Sequence, residues 1–251
     1  MKKKAASADH HPAQNGLLGS LPADEFARLE PDLELVPLPL GLTLAQSGDH
    51  INYLHFPVSG IVSLIYELED GSSNQTVLVG KEGVVGISIF MGGDSLPSRT
   101  RVQNVGHAYR LKRGIMKREF DSGGALQHLA LRYTQALICQ TSQTAVCNRH
   151  HSLDQQLSRW LLMSSDRLEQ DELLITQEQL GALLGVRRES VTLTAGKLQQ
   201  DALIRCSRGR MAILDRAGLV ARTCECYAKV KDEYANLLPE PRKTPFTSTH
   251  A

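Results

Sequence analysis

The sequence predicts an α+β chain: a strand-rich first half, a long helix across the middle, and a helix-turn-helix with a hairpin near the C-terminus. Three observations predict it. Between Leu33 and Leu111, short apolar or alternating runs recur between clusters of Gly, Pro, Asp and Ser, the texture of a β-sandwich or barrel. From about Gly124 to Cys147 the glycines thin out, and apolar residues recur every three or four positions, as on one face of a helix. From Leu173 to Leu214 the order reads helix, turn, helix, hairpin.

Composition sets the bounds. A chain of 251 residues suits one large domain or two ordinary ones, and 41% apolar residues is enough for real cores. A net charge of +1 gives no global pull toward nucleic acid or membrane, so any such partner needs a local patch. No run of about 18 apolar residues occurs, so no membrane span is expected. Met1-Lys2-Lys3-Lys4 leads into polar residues, not an apolar core, so it is not read as a secretory signal. The five cysteines (Cys139, Cys147, Cys206, Cys224 and Cys226) are odd in number and irregular in spacing, which argues against a disulfide framework and fits a reducing cytoplasm. Cys224-x-Cys226 lacks a second pair at zinc-site spacing. It is read as structural, with no metal and no cofactor assigned.

Residues 1–16 read as a disordered tail. A short helix is expected at Pro22–Leu29, with Pro22 preset for the first turn and Asp24 and Glu25 at the positive end of the dipole. Strand candidates are Leu35–Leu38, Tyr53–Pro57, Gly60–Leu68, Gln75–Val79, Ser88–Met91, Arg101–Val105 and Ala108–Leu111. In the long helix Leu126, Leu129, Ala130, Tyr133 and Leu137 form one stripe, continued more weakly by Thr141, Thr144 and Ala145. A long helix with a narrow apolar stripe between two domains reads as a helix–helix dimer seam through Leu126, Leu129, Tyr133 and Leu137. Packing on its own barrel is the alternative, and Gln140 and Gln143 weaken the second half of the seam. A further helix fits Leu153–Leu168.

Thr176-Gln177-Glu178-Gln179 has the form of a capping box. Leu180, Leu183 and Leu184 give the buried face, and Gly185 stands where a left-handed helix end belongs. A second helix from about Arg187 to Gln200 carries Val191, Ala195 and Leu198 on one side. Its other side carries Arg187, Arg188, Glu189, Ser190, Thr192 and Lys197. An arginine bridges guanine O6 and N7, and a glutamate accepts from cytosine N4. Hydroxyls and cations hold phosphates and set register. Between Arg187 and Arg210, six basic residues face two acids, a local charge of +4, as expected of a DNA contact. Ala202-Leu203-Ile204, Ser207-Arg208-Gly209-Arg210 and Met211–Leu214 then read as a wing. The base-reading candidates are Arg188, Glu189, Thr192 and Leu193. The phosphate candidates are Thr176, Arg187, Ser190, Lys197, Arg208 and Arg210.

At this point the chain resembles the Crp–Fnr family of bacterial regulators over roughly Phe26 to Leu219. The most specific stretch is Thr176-x-x-x-Leu180-x-x-x-Leu184-Gly185-Val186-x-Arg188-Glu189-Ser190-Val191, closed by Leu203-Ile204 and Ile213-x-Asp215. Looser matches are Gly41, Gly48-Asp49, Tyr53, Val58-x-Gly60 and Gly83-x-x-Gly86. The resemblance implies an antiparallel β-roll (a double-stranded β-helix) of the cyclic-nucleotide-binding type, a long dimer helix and a winged helix. It implies a homodimer on palindromic duplex DNA, with an unknown small-molecule effector, and RNA polymerase as a partner if the protein activates. An enzyme is the third reading, set aside because the sequence shows no Ser/His/Asp grouping, P-loop, GxGxxG or HExxH. The implied divisions are a 1–16 tail, a 17–121 sensor roll, a 122–150 dimerisation helix, a 151–222 winged helix-turn-helix, and a 223–251 C-terminal helix with a disordered tail.

Two departures from the family pattern bear on function. Members that bind cyclic AMP carry Gly-Glu on one strand and Arg-Ser opening the next. Here Ile87 follows Gly86, and Leu96-Pro97 falls near the Arg-Ser position, with Arg99 and Arg101 close by. The ribose hydroxyl thereby loses its acceptor, which argues against ordinary cyclic AMP binding. The effector-pocket candidates are Gly86, Ile87, Arg99 and Arg101. Second, Leu193 stands where the family often places an arginine, so the preferred DNA site departs from the usual consensus. A ligand-binding module whose helix-turn-helix no longer binds DNA is the competing reading, supported by Leu193 alone. No cysteine precedes Cys139, which rejects a sensor-domain iron–sulfur cluster. The scattered His50, His55 and His107 read as structural or surface residues, and His150-His151 as a solvated hinge.

Overall fold

The computed structural model describes residues 10–239. Its first surprise is that residues 10–16 are built into the fold. A 3-10 turn at Pro12–Gln14 leads into helix α1 (Gly16–Gly19). Asn15 between them is fully buried. Its Nδ2 donates to the carbonyls of Pro57 (2.9 Å) and Gly83 (2.8 Å), and its Oδ1 accepts from the Leu17 and Leu18 N–H groups. A buried amide fully bonded in this way anchors a segment, so the expected disordered tail is corrected over residues 10–16. Residues 1–9 and the expected tail after Pro239 lie outside the described residues.

Helix α2 (Ala23–Leu29) takes Pro22 as its N-cap rather than its first turn. Strands β1 (Glu34–Leu38), β2 (Thr43–Ala45), β3 (Tyr53–Glu67), β4 (Ser73–Val79) and β5 (Arg99–Lys112) form an antiparallel roll. Its strand order is β1-β5-β3-β4, with β2 added on β5. The expected pairs Tyr53–Pro57 with Gly60–Leu68, and Arg101–Val105 with Ala108–Leu111, are each one continuous strand. Gly60 and Gly106 read as breaks in the sequence but face each other across β3 and β5, where the register shifts. A Cβ on Gly106 would collide with the Ser59 carbonyl oxygen. Glycine here permits a close backbone crossing and a bend, not a turn. The expected strand Ser88–Met91 is instead a 3-10 turn at Ile87–Ile89, entered through Gly86 at φ +101°. The three-residue β2 was not foreseen.

Helix α3 (Arg113–Asp121) precedes α4 (Ala125–His150), whose 26 residues span about 39 Å. The Glu25 carboxylate accepts from the N–H groups of Ala125 (2.8 Å) and Leu126 (2.9 Å), capping α4. Leu126, Leu129, Tyr133 and Leu137 are all buried in the core of this chain's own roll. The expected dimer seam is therefore corrected: that stripe is used up within the protomer. The large apolar residues α4 leaves exposed are Leu131, Ile138 and Val146.

Helix α5 (Leu153–Leu168) is followed by β6 (Glu172–Leu174), α6 (Gln177–Leu184), α7 (Arg188–Gln200), β7 (Ile204–Ser207), β8 (Arg210–Ile213), α8 (Arg216–Arg222) and α9 (Glu225–Leu237). A small antiparallel sheet orders β6-β8-β7. The second hydrophobic core crosses between the two halves. Ile61, Ile65 and Leu78 of the roll share it with Trp160, Leu161, Leu180 and Leu183. Trp160 Nε1 donates to Gln75 Oε1 (2.7 Å), and Ser73 Oγ donates to the Ala182 carbonyl of α6 (3.0 Å). Helix α9 packs back along α4, where Tyr234 meets Tyr133 edge-on at 6.4 Å.

Candidate nucleic-acid interface

The interface is assembled by local signals that each satisfy a helix end. Thr176 caps α6: its Oγ1 accepts from the Gln179 N–H (3.1 Å), and Gln179 Oε1 accepts from the Thr176 N–H (3.0 Å). Gly185 ends α6 at φ +68°, ψ +33°, the left-handed conformation that costs glycine least. Gly181, passed over in the sequence, makes the tight turn possible, since a Cβ there would lie 2.9 Å from the Val186 carbonyl oxygen. Without a family pattern, nothing around Gly181 marks that approach.

Helix α7 has two unlike sides. Val191, Ala195 and Leu198 are wholly buried. Arg188, Glu189, Thr192, Leu193 and Lys197 are exposed. Leu193 is 70% exposed, the most exposed large apolar side chain among the described residues. A leucine that gains nothing from the core while sitting on a polar face costs solvation. Arg187 is the N-cap residue and makes no side-chain cap bond, while Ser190 is half-buried. Thr192 is not free: its Oγ1 donates to Gln177 Oε1 at 2.7 Å, tying α7 to α6.

The wing is the β7–β8 hairpin, turned at Gly209 with φ +72°. Arg210 is ion-paired to Glu172 on β6, which pins the wing, and Arg208 stands exposed at the tip. Thr176, Arg188, Arg208 and Arg210 line one groove between the start of α6, the start of α7 and the wing. The structure thus gathers four predicted residues in that groove and strings Glu189, Leu193 and Lys197 along the adjoining helix face.

The four effector-pocket residues do not gather. Gly86 backs onto Tyr53 and Leu54, and Ile87 packs on the roll core. Arg99 and Arg101 pair with Ile65 and Ser63 near the other end of the β3–β5 ribbon. There Arg99 bonds Glu67 at 2.6 Å, and both arginines face a cavity closed by Gln179 and Leu183 of α6. The single pocket expected from Gly86, Ile87, Arg99 and Arg101 is corrected to two separate places, because Gly86 packs at the Tyr53–Leu54 start of β3 while the two arginines pair with Ser63 and Ile65 toward its other end.

Among the other titratable groups, the structure corrects the reading of His151. His151 is no solvated hinge: its side chain is 15% exposed and lies against Cys226, while His150 is exposed. Cys147, His151, Cys224 and Cys226 converge, so the second donor pair that Cys224-x-Cys226 lacked in sequence comes from the end of α4. His55 sits in the roll with its pKa lowered to about 4, by burial first and the Arg110 guanidinium second. An unfolded histidine protonates near 6.5, so between those values the unfolded chain binds the extra proton. The His55 contribution is complete above pH 6.5 and is lost as pH falls toward 4, on the order of 3 kcal/mol in all. Thermal unfolding at pH 7 and pH 5 checks this. His55→Gln should lose less stability on acidification than wild type, and equal losses would disprove it.

Fold and site together define a class: a regulator in which an antiparallel roll is packed against a winged helix. The model of the Crp-like helix-turn-helix domain matches residues 155–222. A CRP-like cAMP-activated global transcriptional regulator of Mycobacterium tuberculosis (strain CDC 1551 / Oshkosh) is 22% identical over 218 residues, covering 84% of this chain and 97% of that protein. A transcriptional regulator of the Crp/Fnr family from Eubacterium rectale superposes with a TM-score of 0.65 at 17% identity, over 83% of this chain and 97% of that one. The c-di-GMP responsive global regulator CLP of Xanthomonas campestris gives 0.61 at 19% identity, over 76% and 99%. Residues 155–222 are thus a Crp-like helix-turn-helix domain, a DNA-binding module, and over most of its length the chain is similar to transcriptional regulators of the Crp/Fnr family. Among the described residues no helix is long and apolar enough to cross a membrane.

Proposed function

We propose that the protein acts as a homodimer on two-fold symmetric duplex DNA, governed by a signal other than ordinary cyclic AMP. The observation that carries the DNA reading is the division of α7: three wholly buried apolar residues on one side, and Arg188, Glu189 and Leu193 presented on the other. In this reading Arg188 donates to guanine, Glu189 accepts from cytosine, and Leu193 meets a thymine methyl. Thr192 contributes only by releasing Gln177. Arg187, Ser190, Lys197, Thr176, Arg208 and Arg210 hold phosphates and fix the register.

The dimer rests on the other side of α4 from the one first expected. Leu131, Ile138 and Ala145 are exposed and seven residues apart, with Gln135 and Ser142 between them, which is coiled-coil spacing. Family members are dimers. A charge in such a seam is desolvated without a partner. Leu131→Glu/Ile138→Glu should therefore be monomeric by light scattering at concentrations where wild type is a dimer, and should lose cooperative operator binding. A variant that stays dimeric would place the seam elsewhere.

Against ordinary cyclic AMP binding stand Ile87, which offers no acceptor, and the engagement of Arg99 with Glu67. The similar proteins are themselves named for different nucleotides, one cAMP-activated and one c-di-GMP responsive. Selection of random duplex DNA on the purified protein, with and without each nucleotide, tests the whole reading. The expected result is a symmetric motif, unsharpened by cyclic AMP. Sharpening by cyclic AMP would overturn the effector reading. No motif in any arm would overturn the base-reading assignment.

A further inference from the structure

Four donors of the kind that ligate soft divalent metals meet where α4 ends, α5 begins and α9 starts. Cys147 and His151 are four residues apart, which sets them on one side of the final helical turn. Cys224 is the N-cap residue of α9, where its side chain makes no cap bond, and Cys226 lies in the first turn. One ligand atom from each residue falls within 4.8 Å of all the others. Cys147 Sγ and Cys224 Sγ are 3.6 Å apart, as are Cys226 Sγ and His151 Nδ1. In a tetrahedral zinc site, with Zn–S of about 2.3 Å and Zn–N of about 2.0–2.1 Å, neighbouring donors sit roughly 3.5–3.8 Å apart. We propose that Cys147, His151, Cys224 and Cys226 bind a single zinc ion in a closed Cys₃His site. This proposal is independent of the DNA and dimer assignments above.

The surroundings fit that charge and geometry. Three thiolates and a neutral imidazole leave the zinc centre with one net negative charge. Arg159, 6% exposed, supplies a cation: its Nη2 donates to Thr144 Oγ1 (2.8 Å), its Nε has no hydrogen-bond partner, and its charge acts on both Cys147 and Cys226. A buried arginine bonded only to a hydroxyl is costly unless an anion lies beside it. His151 turns Nδ1 toward the sulfurs and holds Nε2 3.4 Å from the Glu225 carboxylate. A carboxylate there suits the Nε2–H tautomer, which leaves Nδ1 to ligate, the outer-shell partnership usual for metal-bound histidine. Cys147, Cys224 and Cys226 are all buried. Zinc binding would displace three protons as three Zn–S bonds form. The donors are too tightly gathered to enclose a polynuclear iron–sulfur cluster. Four protein ligands leave no open position, so the site is structural. It staples the start of α9 to the joint between the long helix and the DNA-binding head.

The test uses the full chain purified without chelator under reducing conditions. Elemental analysis should give one zinc per chain. Cobalt(II) added to the chelator-stripped protein should give visible bands of tetrahedral cobalt and thiolate-to-cobalt charge transfer, both removed by zinc. Cys224→Ser and His151→Ala should lose stoichiometric zinc, while Cys139→Ser and Cys206→Ser retain it. Glu225→Gln should keep the metal but weaken its affinity by about 10–100-fold. Absence of zinc together with absence of the cobalt spectrum would overturn the proposal, whether or not the variants fold. So would iron with acid-labile sulfide, or a Cys147–Cys224 disulfide in protein taken from reducing cytosol.

Discussion

Arg167→Ala should lower the unfolding free energy by about 3–5 kcal/mol, the range for breaking a buried ion pair by removing one partner. The Arg167 side chain is 8% exposed and connects four parts of the molecule. Its Nε bonds Glu82 Oε1 (2.9 Å) and the Leu78 carbonyl (3.2 Å) on the roll. Its Nη2 donates to Gln140 Oε1 on α4 (2.7 Å), and its Nη1 to the Met163 carbonyl on α5 (3.0 Å). Tyr234 of α9 lies under the guanidinium at 5.7 Å and also donates to Gln140 Oε1. Alanine strands the Glu82 carboxylate, leaves two carbonyls short of a donor, and opens a void the size of the side chain. Urea unfolding checks the value. Arg167→Met combined with Glu82→Gln should recover part of the loss, because neither charge is then left alone. A loss below about 1 kcal/mol for Arg167→Ala would show that water replaces the guanidinium.

Arg188→Ala and Glu189→Ala should each weaken specific DNA binding by about 1–3 kcal/mol, and each should relax preference at one base position. Both side chains are exposed, and neither contributes to the helix core, so folding should be unchanged. Arg208→Ala is the contrast. As a phosphate contact it should weaken binding evenly across sequences and reduce the salt slope by about one. Leu193→Arg should change the preferred bases. Fluorescence anisotropy at several salt concentrations, on the selected site and single-base variants, separates these outcomes. If Arg188→Ala lost affinity equally for every sequence, Arg188 would be a phosphate contact and not a reader.

The DNA-binding head was legible because each of its signals is local. A capping box, a glycine at a left-handed helix end and three apolar residues on one face all act within a turn or two of chain. The roll was legible as strands but not in their joins. Gly60 and Gly106 resemble turn residues until their partner is known, and that partner lies more than 40 positions away. Spacing correctly identified the apolar stripe of α4, but spacing does not say what covers it. Leu126, Leu129, Tyr133 and Leu137 were covered by the same chain, leaving Leu131 and Ile138 outside. Asn15 looked like part of a polar tail because its four bonds reach the Pro57 and Gly83 carbonyls and the first turn of α1. The cysteine cluster was hidden for the same reason: Cys147 and Cys224 are 77 residues apart, and no periodic pattern links them.

The core shared between Ile61, Ile65 and Leu78 of the roll and the helices of the head has a consequence for signalling. His151 and Ser152 alone separate α4 from α5, so no slack tether lets the head drift. Any effector that reorients α7 relative to the roll must break this contact and expose those three aliphatic side chains, or exchange them for an equivalent seat. Such a contact has discrete settings rather than a continuum. An effector acting at this contact would have to bind one packed arrangement more tightly than the other, by at least the difference between them.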